Sequence, residues 1–194
     1  MNSKSAIRKV VVIGSSAGGI DALIQVISGI PVDVQAAIIV VQHLKAGKET
    51  SLPQLLGNHS SLGVCIARDG ILIESGIIYV AEPGKHIRIE KDRFVLDLSE
   101  PVNYVRPSAD VLFASAALAF GSNVIGVVLS GNGRDGAYGC KEIKEKKGVT
   151  IAQDEKTSAY FAMPDASIRA GVIDYVLPLD KIAVKIVALI QESC

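Results

Sequence analysis

Short, nearly unbroken aliphatic runs alternate along this chain with stretches where apolar residues recur every three or four positions. The runs are Val10 to Ile13, Ala36 to Val41, Val124 to Leu129 and Val149 to Ala152. Runs of this kind, bounded by turn residues, predict strands buried on both faces of a parallel sheet. Helical spacing appears at Ile20, Leu23, Ile24 and Ile27, and again at Leu179, Ile182, Ala183, Ile186, Val187 and Ile190. Between them, a short helix around Leu52 to Leu56 leads to a weaker strand at Val64 to Ala67.

The middle of the chain has another rhythm. Ile77 to Ala81, His86 to Glu90 and Arg93 to Leu98 are separated by Pro83-Gly84 and Lys91-Asp92. Ile87 and Ile89 alternate with polar neighbours, and Phe94, Leu96 and Leu98 share a face. This predicts a half-exposed antiparallel hairpin or meander. Ser108 is placed to cap a helix running to about Phe120, apolar nearly all round and therefore buried. A second helix with mixed charges runs to about Lys147; its Lys141 to Lys147 segment reads as a solvated face. The pattern as a whole is one α/β domain with a mostly parallel sheet and an antiparallel β-hairpin insertion, without internal repeats or low-complexity tracts.

Composition then excludes several classes. The chain is 49% hydrophobic and 21% charged, as soluble globular domains are. Twenty basic residues balance twenty acidic ones, so no net field draws it to nucleic acid or anionic lipid. With no Trp, four Phe and five Tyr there is little material for base stacking. Cys65, Cys140 and Cys194 are widely spaced, form no C-x-x-C pair, and suit a reducing compartment rather than a disulfide or zinc framework. The aliphatic run Ala36 to Val41 is far short of the ~18 residues of a membrane span. Lys4, Arg8 and Lys9 precede a run, Val10 to Ile13, too short for a signal peptide. The expectation is a cytoplasmic protein with no membrane insertion, no nucleic-acid partner, no metal and no cofactor.

Reactive groups in open α/β sheets gather where strands end at their carboxyl side. Three such ends carry chemistry here. Gly14-Ser15-Ser16-Ala17-Gly18 is a G-x-S-x-G between a strand and a helix, the setting in which a sharp turn lifts a serine hydroxyl clear. The helix N-terminus beneath it offers unpaired N–H groups to a developing oxyanion. A glycine-rich turn of this type also serves as a phosphate-binding loop or a plain tight turn. His43 follows the second strand; if the first two strands are neighbours, it shares a rim with Ser16 within reach of a general base. His59 and His86 have no comparable address. Asp135 lies in the loop Ser130-Gly131-Asn132-Gly133-Arg134-Asp135-Gly136, as a helix cap or as the carboxylate that orients a histidine. Asp154 and Asp110 compete for that role, but Asp154 adjoins a charged cluster and Asp110 falls in a first helical turn.

Rival motifs break on particular residues. A dinucleotide site wants G-x-G-x-x-G and an acidic residue after the second strand, where this chain has Gln42-His43. Gly47-Lys48 suggests a Walker lysine, yet Gln42 and Glu49 interrupt the P-loop pattern.

Together the segments resemble the chemotaxis-receptor methylesterases of the CheB type. The stretches that carry the resemblance are Val-Ile-Gly-Ser-Ser-Ala-Gly-Gly (12–19), Val-Gln-His-Leu (41–44) and Arg-Pro-Ser-Ala-Asp-Val-Leu-Phe (106–113). Ser-Gly-Asn-Gly-Arg-Asp-Gly-Ala (130–137), Ile-Ala-Gln-Asp-Glu (151–155) and Met163-Pro164 complete it, in family order over nearly the whole chain. The resemblance implies a modified doubly wound α/β fold with helices on both faces, and a single catalytic domain over 1–194. It implies hydrolysis of glutamyl methyl esters on the cytoplasmic domain of methylated chemoreceptors, giving glutamate and methanol, with deamidation of receptor glutamines as a companion activity. Carried over by position, Ser16 is the nucleophile, His43 the general base and Asp135 its orienting carboxylate. Ser15, where the family usually has Ala, is a bystander, and Arg106 lies in a motif near the site.

Three departures stand out. Ala17 replaces a frequent Thr after the nucleophile. Asn132 makes a normally apolar G-M-G turn polar. The family's phospho-receiver domain does not precede the first strand, which leaves open a stand-alone esterase, a catalytic domain alone or a homologue serving another signalling system, with a separate regulatory protein as a candidate partner in place of a receiver. Three rivals stay open: a binding or regulatory module in which the Gly14 to Gly19 loop cradles a phosphate, an amidase acting mainly on glutamine, and an inactive homologue that has kept the fold for interaction.

Overall fold

A computed structural model describes residues 9–45, 47 and 50–192. Lys4, Arg8, Lys48, Glu49 and Cys194 lie outside the described residues. In chain order the elements are β1 (Lys9–Ser15), α1 (Gly19–Ser28), β2 (Ala36–Gln42), α2 (Leu52–Gly57), β3 (Gly63–Ile66) and β4 (Ile77–Val80). There follow β5 (His86–Glu90), β6 (Arg93–Asp97), α3 (Ala109–Phe120), β7 (Val124–Val128) and α4 (Ala137–Glu145). The chain then forms β8 (Val149–Gln153), α5 (Ala162–Arg169), β9 (Tyr175–Leu177) and α6 (Leu179–Gln191).

The aliphatic runs become central strands of a seven-stranded parallel sheet in the order β3-β4-β2-β1-β7-β8-β9. Because side chains alternate across a strand, each run feeds two cores at once. Val11, Ile13, Ile38 and Val40 face α1, α2 and α6, meeting Leu23, Ile27, Leu56, Ile182 and Ile186. Val10, Val12, Ile39 and Val41 face the opposite layer, packing with Leu112, Phe113, Ile143 and Met163. That two-sided burial is why β1 and β2 read as continuous hydrophobic runs rather than alternating ones.

Of the expected antiparallel hairpin or meander, the hairpin of β5 and β6 forms, but the segment Ile77 to Ala81 does not join it. Ile77 to Val80 forms β4, parallel to β2 and β3 inside the main sheet; only β5 and β6 form the antiparallel pair. Ile87, Ile89 and Phe94 of that hairpin are buried in the α3-side core, so its apolar face closes the layer. The helix α4 stops at Glu145 rather than near Lys147, where the backbone turns left-handed at Lys147 (φ 64°). α5 and β9, which carry no periodic signal, complete the carboxyl half.

The chain winds outward from β1 to β2 on one side and crosses to β7 on the other, so the switch point of the sheet lies at the carboxyl ends of β2, β1 and β7. α3 and α4 pack closely beside it. A side chain on Gly139 would place its Cβ 2.4 Å from Phe113 Cβ and 3.1 Å from the Asp110 Cα, an approach only glycine permits. Gly139→Ala is therefore expected to destabilise the fold by about 1–2 kcal/mol in urea unfolding, despite the gain in helix propensity. Gly57→Ala is the control: at the end of α2 its Cβ meets nothing nearer than 4.0 Å, so it is expected to be neutral or stabilising.

Candidate active site

β1 and β2 end side by side, with Ser15 paired in register with Gln42. Ser16 and His43 are the first residues beyond the two strands, and the His43 N–H donates to the Ser15 carbonyl at 3.0 Å. Gln42 clamps the two ends. Its amide Nε2 donates to the Ser16 carbonyl at 2.9 Å and to the His43 carbonyl at 3.2 Å, while Oε1 accepts the Ser15 hydroxyl at 2.7 Å. Ser15 is fully buried in that bond, with its hydroxyl spent, whereas Ser16 is only half-buried.

The turn that carries Ser16 is held from the β7 side as well. The Ser16 N–H donates to the Ser130 carbonyl at 3.0 Å, and the Ser130 hydroxyl donates to the Ala17 carbonyl at 2.9 Å. Gly18 takes a left-handed conformation (φ 67°), and a Cβ there would fall 2.6 Å from Ala159 Cβ. Among the described residues no hydrogen bond takes the Ala17 N–H, which stands next to the serine at the start of α1.

Asp135 comes from the loop after β7 and meets His43: Nε2 lies 2.8 Å from the carboxylate Oδ2, with side-chain exposures of 9% and 3%. An ionised carboxylate only accepts, so Nε2 carries the proton and Nδ1 is left as the basic nitrogen. Among the described residues no hydrogen bond joins the Ser16 hydroxyl to His43; the backbone register brings them to the same rim. Asp135 does not cap the helix that follows it. It receives the Ala109 N–H at 2.6 Å, the Asp110 N–H at 3.1 Å and the Ser108 hydroxyl at 2.6 Å, so it sits at the N-terminus of α3. This corrects the expectation for Ser108, which occupies the N-cap position but gives its hydroxyl to Asp135 instead of accepting from its own helix. Burial pushes the Asp135 carboxyl up, but hydrogen bonds from His43, Ser108 and the Ala109 N–H outweigh it and hold the group below the usual carboxylate range.

Asp110 returns the arrangement. From the first turn of α3 its Oδ1 accepts the Gly136 and Gly139 N–H groups at 2.9 and 2.7 Å, at the start of α4. Each carboxylate thus sits at the N-terminus of the other's helix, where the helix dipole favours negative charge. Asn103 bridges them, donating to Asp110 at 2.7 Å and to Asp135 at 3.4 Å, and its carbonyl accepts from Arg134 at 3.3 Å. For Asp110 burial dominates, with the neighbouring Asp135 charge adding to it against the helical N–H bonds, and the group is pushed up to about 6.

Of the residues set aside by the sequence, His86 is fully buried: Nδ1 accepts the Ser108 N–H at 3.2 Å and Nε2 lies 3.1 Å from the Glu100 carbonyl. It braces Ser108 from behind. Arg106 gives Nη1 to the Leu98 and Ser99 carbonyls, both at 2.8 Å, strapping the segment after β6. Asp154 instead caps its own turn through Thr157. Gln42, Asn103 and His86 were not legible as site residues, although Ser108 and Asp110 stand within the 106–113 motif. A cavity of about 260 Å³ adjoins His43, walled by Leu44, Pro101, Tyr104, Val105 and Pro107 among others. Among the described residues no group of three or more His, Cys, Asp or Glu is placed to hold a metal ion, and no helix is long and apolar enough to cross a membrane.

Comparison with known proteins gives this arrangement a family. The CheB methylesterase family model matches residues 11–186, and the chain belongs to that family. A Pyrococcus horikoshii protein described as a protein-glutamate methylesterase/protein-glutamine glutaminase is 41% identical over 188 residues, 95% of this chain and 51% of that protein. The chain spans about half the length of several such relatives, the Archaeoglobus fulgidus one included (53%). A Leptospira interrogans relative, 39% identical over 184 residues, matches over 94% of this chain and 95% of its own length. The crystal structure of the Thermotoga maritima CheB methylesterase catalytic domain superposes with a TM-score of 0.91 at 39% identity, covering 93% of this chain and 98% of that one.

The raised Asp110 group fixes a pH dependence of stability. In the folded chain it holds its proton up to about pH 6, against about 4 when unfolded. Its contribution is fully present below about pH 4 and is lost as pH rises through about 6. Asp135, whose group is lowered, acts in the opposite sense and only as pH falls below about 4. Urea unfolding between pH 4 and 7 is expected to show a fall of on the order of 2 kcal/mol that Asp110→Asn removes.

Proposed function

We propose that this chain is a serine esterase that hydrolyses glutamyl methyl esters on the cytoplasmic domain of chemoreceptors, releasing glutamate and methanol, and that it deamidates receptor glutamines by the same chemistry. The observation that carries this reading is the 2.8 Å bond between His43 and Asp135, set at the strand end adjoining Ser16. A phosphate-cradling loop has no need of a buried carboxylate that fixes the tautomer of a neighbouring histidine.

In this reading His43 Nδ1 takes the Ser16 hydroxyl proton as Oγ attacks the ester carbonyl. Asp135 stabilises the imidazolium without taking the proton itself. The negative charge on the carbonyl oxygen is met by the unpaired Ala17 N–H and the N-terminal end of α1, and one such donor is worth about 3–4 kcal/mol of barrier. The carbon–oxygen bond to methoxide breaks, His43 returns the proton to it, and methanol leaves a glutamyl ester on Ser16. Water then attacks with His43 as base, and the serine departs with its proton restored. With glutamine the leaving group is ammonia. Ala17 supplies its backbone donor whatever its side chain, so the missing hydroxyl does not disable the step.

The activity belongs in the cytoplasm in this account, where receptor tails are found. Methanol release from a methylated chemoreceptor cytoplasmic fragment tests the reading. Wild type and Ser15→Ala are expected to release it, while Ser16→Ala falls by at least about a thousandfold. Absence of methanol from the wild type, or its loss in Ser15→Ala with Ser16→Ala active, contradicts the assignment.

A further inference from the structure

The segment between β6 and α3 makes a tight hairpin beside the site. Val102 and Val105 exchange N–H···O bonds at 3.1 and 3.0 Å, and the two residues between them, Asn103 (φ 51°) and Tyr104 (φ 65°), are both left-handed. Positive φ at both central positions is the signature of a type I′ turn, in which the second position favours glycine. Here it is tyrosine, fully exposed, in a conformation that disfavours a bulky side chain. Backbone strain of this kind persists where the surroundings over-determine it, and it collects at functional sites.

The surroundings do over-determine this turn. Asn103 is bonded to Asp110 and to Asp135, the carboxylate paired with His43, and to Arg134. Arg106 ties the far side to the Leu98 and Ser99 carbonyls. Tyr104 is therefore an exposed aromatic on a rigid mount, and it lines the same cavity as His43, together with Pro101, Val105 and Pro107. That lining is mostly apolar; besides His43, its polar side chains are the Tyr104 hydroxyl and the Arg106 guanidinium. It offers nothing for the reacting ester itself, whose carbonyl must lie by Ser16 and Ala17. It suits the apolar flank of the polypeptide that bears the ester, since exposed tyrosine gives large contact area with few rotatable bonds.

We infer that Tyr104 is a substrate-docking residue, seating the segment of the substrate protein next to the modified glutamate so that its side chain enters beside His43. The inference rests on the proposed esterase reading and adds to it how a protein substrate is told from a small ester. The Asn103 bonds make the mount part of the same network that sets the triad carboxylate, so a seated substrate is registered against His43.

Steady-state kinetics of wild type, Tyr104→Gly and Tyr104→Phe on a methylated chemoreceptor cytoplasmic fragment and on p-nitrophenyl acetate test this. Glycine relieves the strained φ, so the fold is kept while the side chain is removed. For Tyr104→Gly, the ratio of kcat/KM on the receptor fragment to kcat/KM on the small ester is expected to fall about tenfold, through KM rather than kcat. Tyr104→Phe is expected to keep most of that ratio. An unchanged ratio in Tyr104→Gly overturns the inference, as does an equal loss on both substrates, which would place Tyr104's effect on the triad. A wild type that cleaves p-nitrophenyl acetate but releases no methanol from the fragment overturns the receptor-methylesterase reading and this inference with it, an outcome distinct from the other two.

Discussion

Two buried carboxylates crossed between two helices are the constraint on which the rest of this site depends. Asp135 precedes α4 yet satisfies the N-terminus of α3; Asp110 belongs to α3 yet satisfies the N-terminus of α4. Two like charges so close would repel strongly in a low-dielectric interior. The helix ends, the Asn103 amide and the Ser108 hydroxyl make the arrangement tenable, and the strain is divided unequally. Asp135 keeps its charge below the usual range while Asp110 holds a proton up to about 6. The helix pair thereby fixes the carboxylate that is bonded to His43 and that the proposed mechanism needs ionised. Close packing at Gly139 is the steric face of the same contact.

The other half of the site is made by strands rather than helices. Gln42 joins the ends of β1 and β2 through three hydrogen bonds, which sets Ser16 and His43 on one rim before any side chain of the pair interacts. The fold thus assembles the site from two pieces that meet at the switch point: a strand pair whose ends lead into the serine and histidine, and a helix pair whose α3 N-terminus holds the aspartate of the β7–α4 loop. Their joint is the His43–Asp135 bond. Proton transfer chemistry demands placement to within a few tenths of an ångström, and rigid elements supply it better than free loops.

How much of this was legible follows from what each signal encodes. The runs Val10 to Ile13 and Ala36 to Val41 read directly as sheet interior, because burial on both faces leaves an unbroken apolar record. Ile77 to Ala81 reads with the antiparallel hairpin or meander, whereas Ile77–Val80 is parallel β4, because so short a run carries no information about direction or partner. β9 is three residues long with Tyr175 and Val176 exposed, and α5 carries Pro164 in its first turn, so neither shows a periodic face. Ser16 and His43 were readable as candidates since each directly follows a strand. Asp135 could be singled out as a candidate, but its bonds to Ser108, Ala109 and Asp110 span 25 to 27 residues, and no local pattern announces such a cap. Gln42, Asn103 and His86 act through bonds to backbone or to buried partners, which no residue type declares in advance.

The central claim is that Ser16, and not the adjacent Ser15, is the hydroxyl made reactive by this joint. Labelling with a fluorophosphonate probe followed by peptide mass spectrometry tests it most directly. The account predicts a single adduct on Ser16 whose formation slows sharply in His43→Ala and in Asp135→Ala. An adduct on Ser15, or labelling of Ser16 at the wild-type rate in both variants, would contradict it.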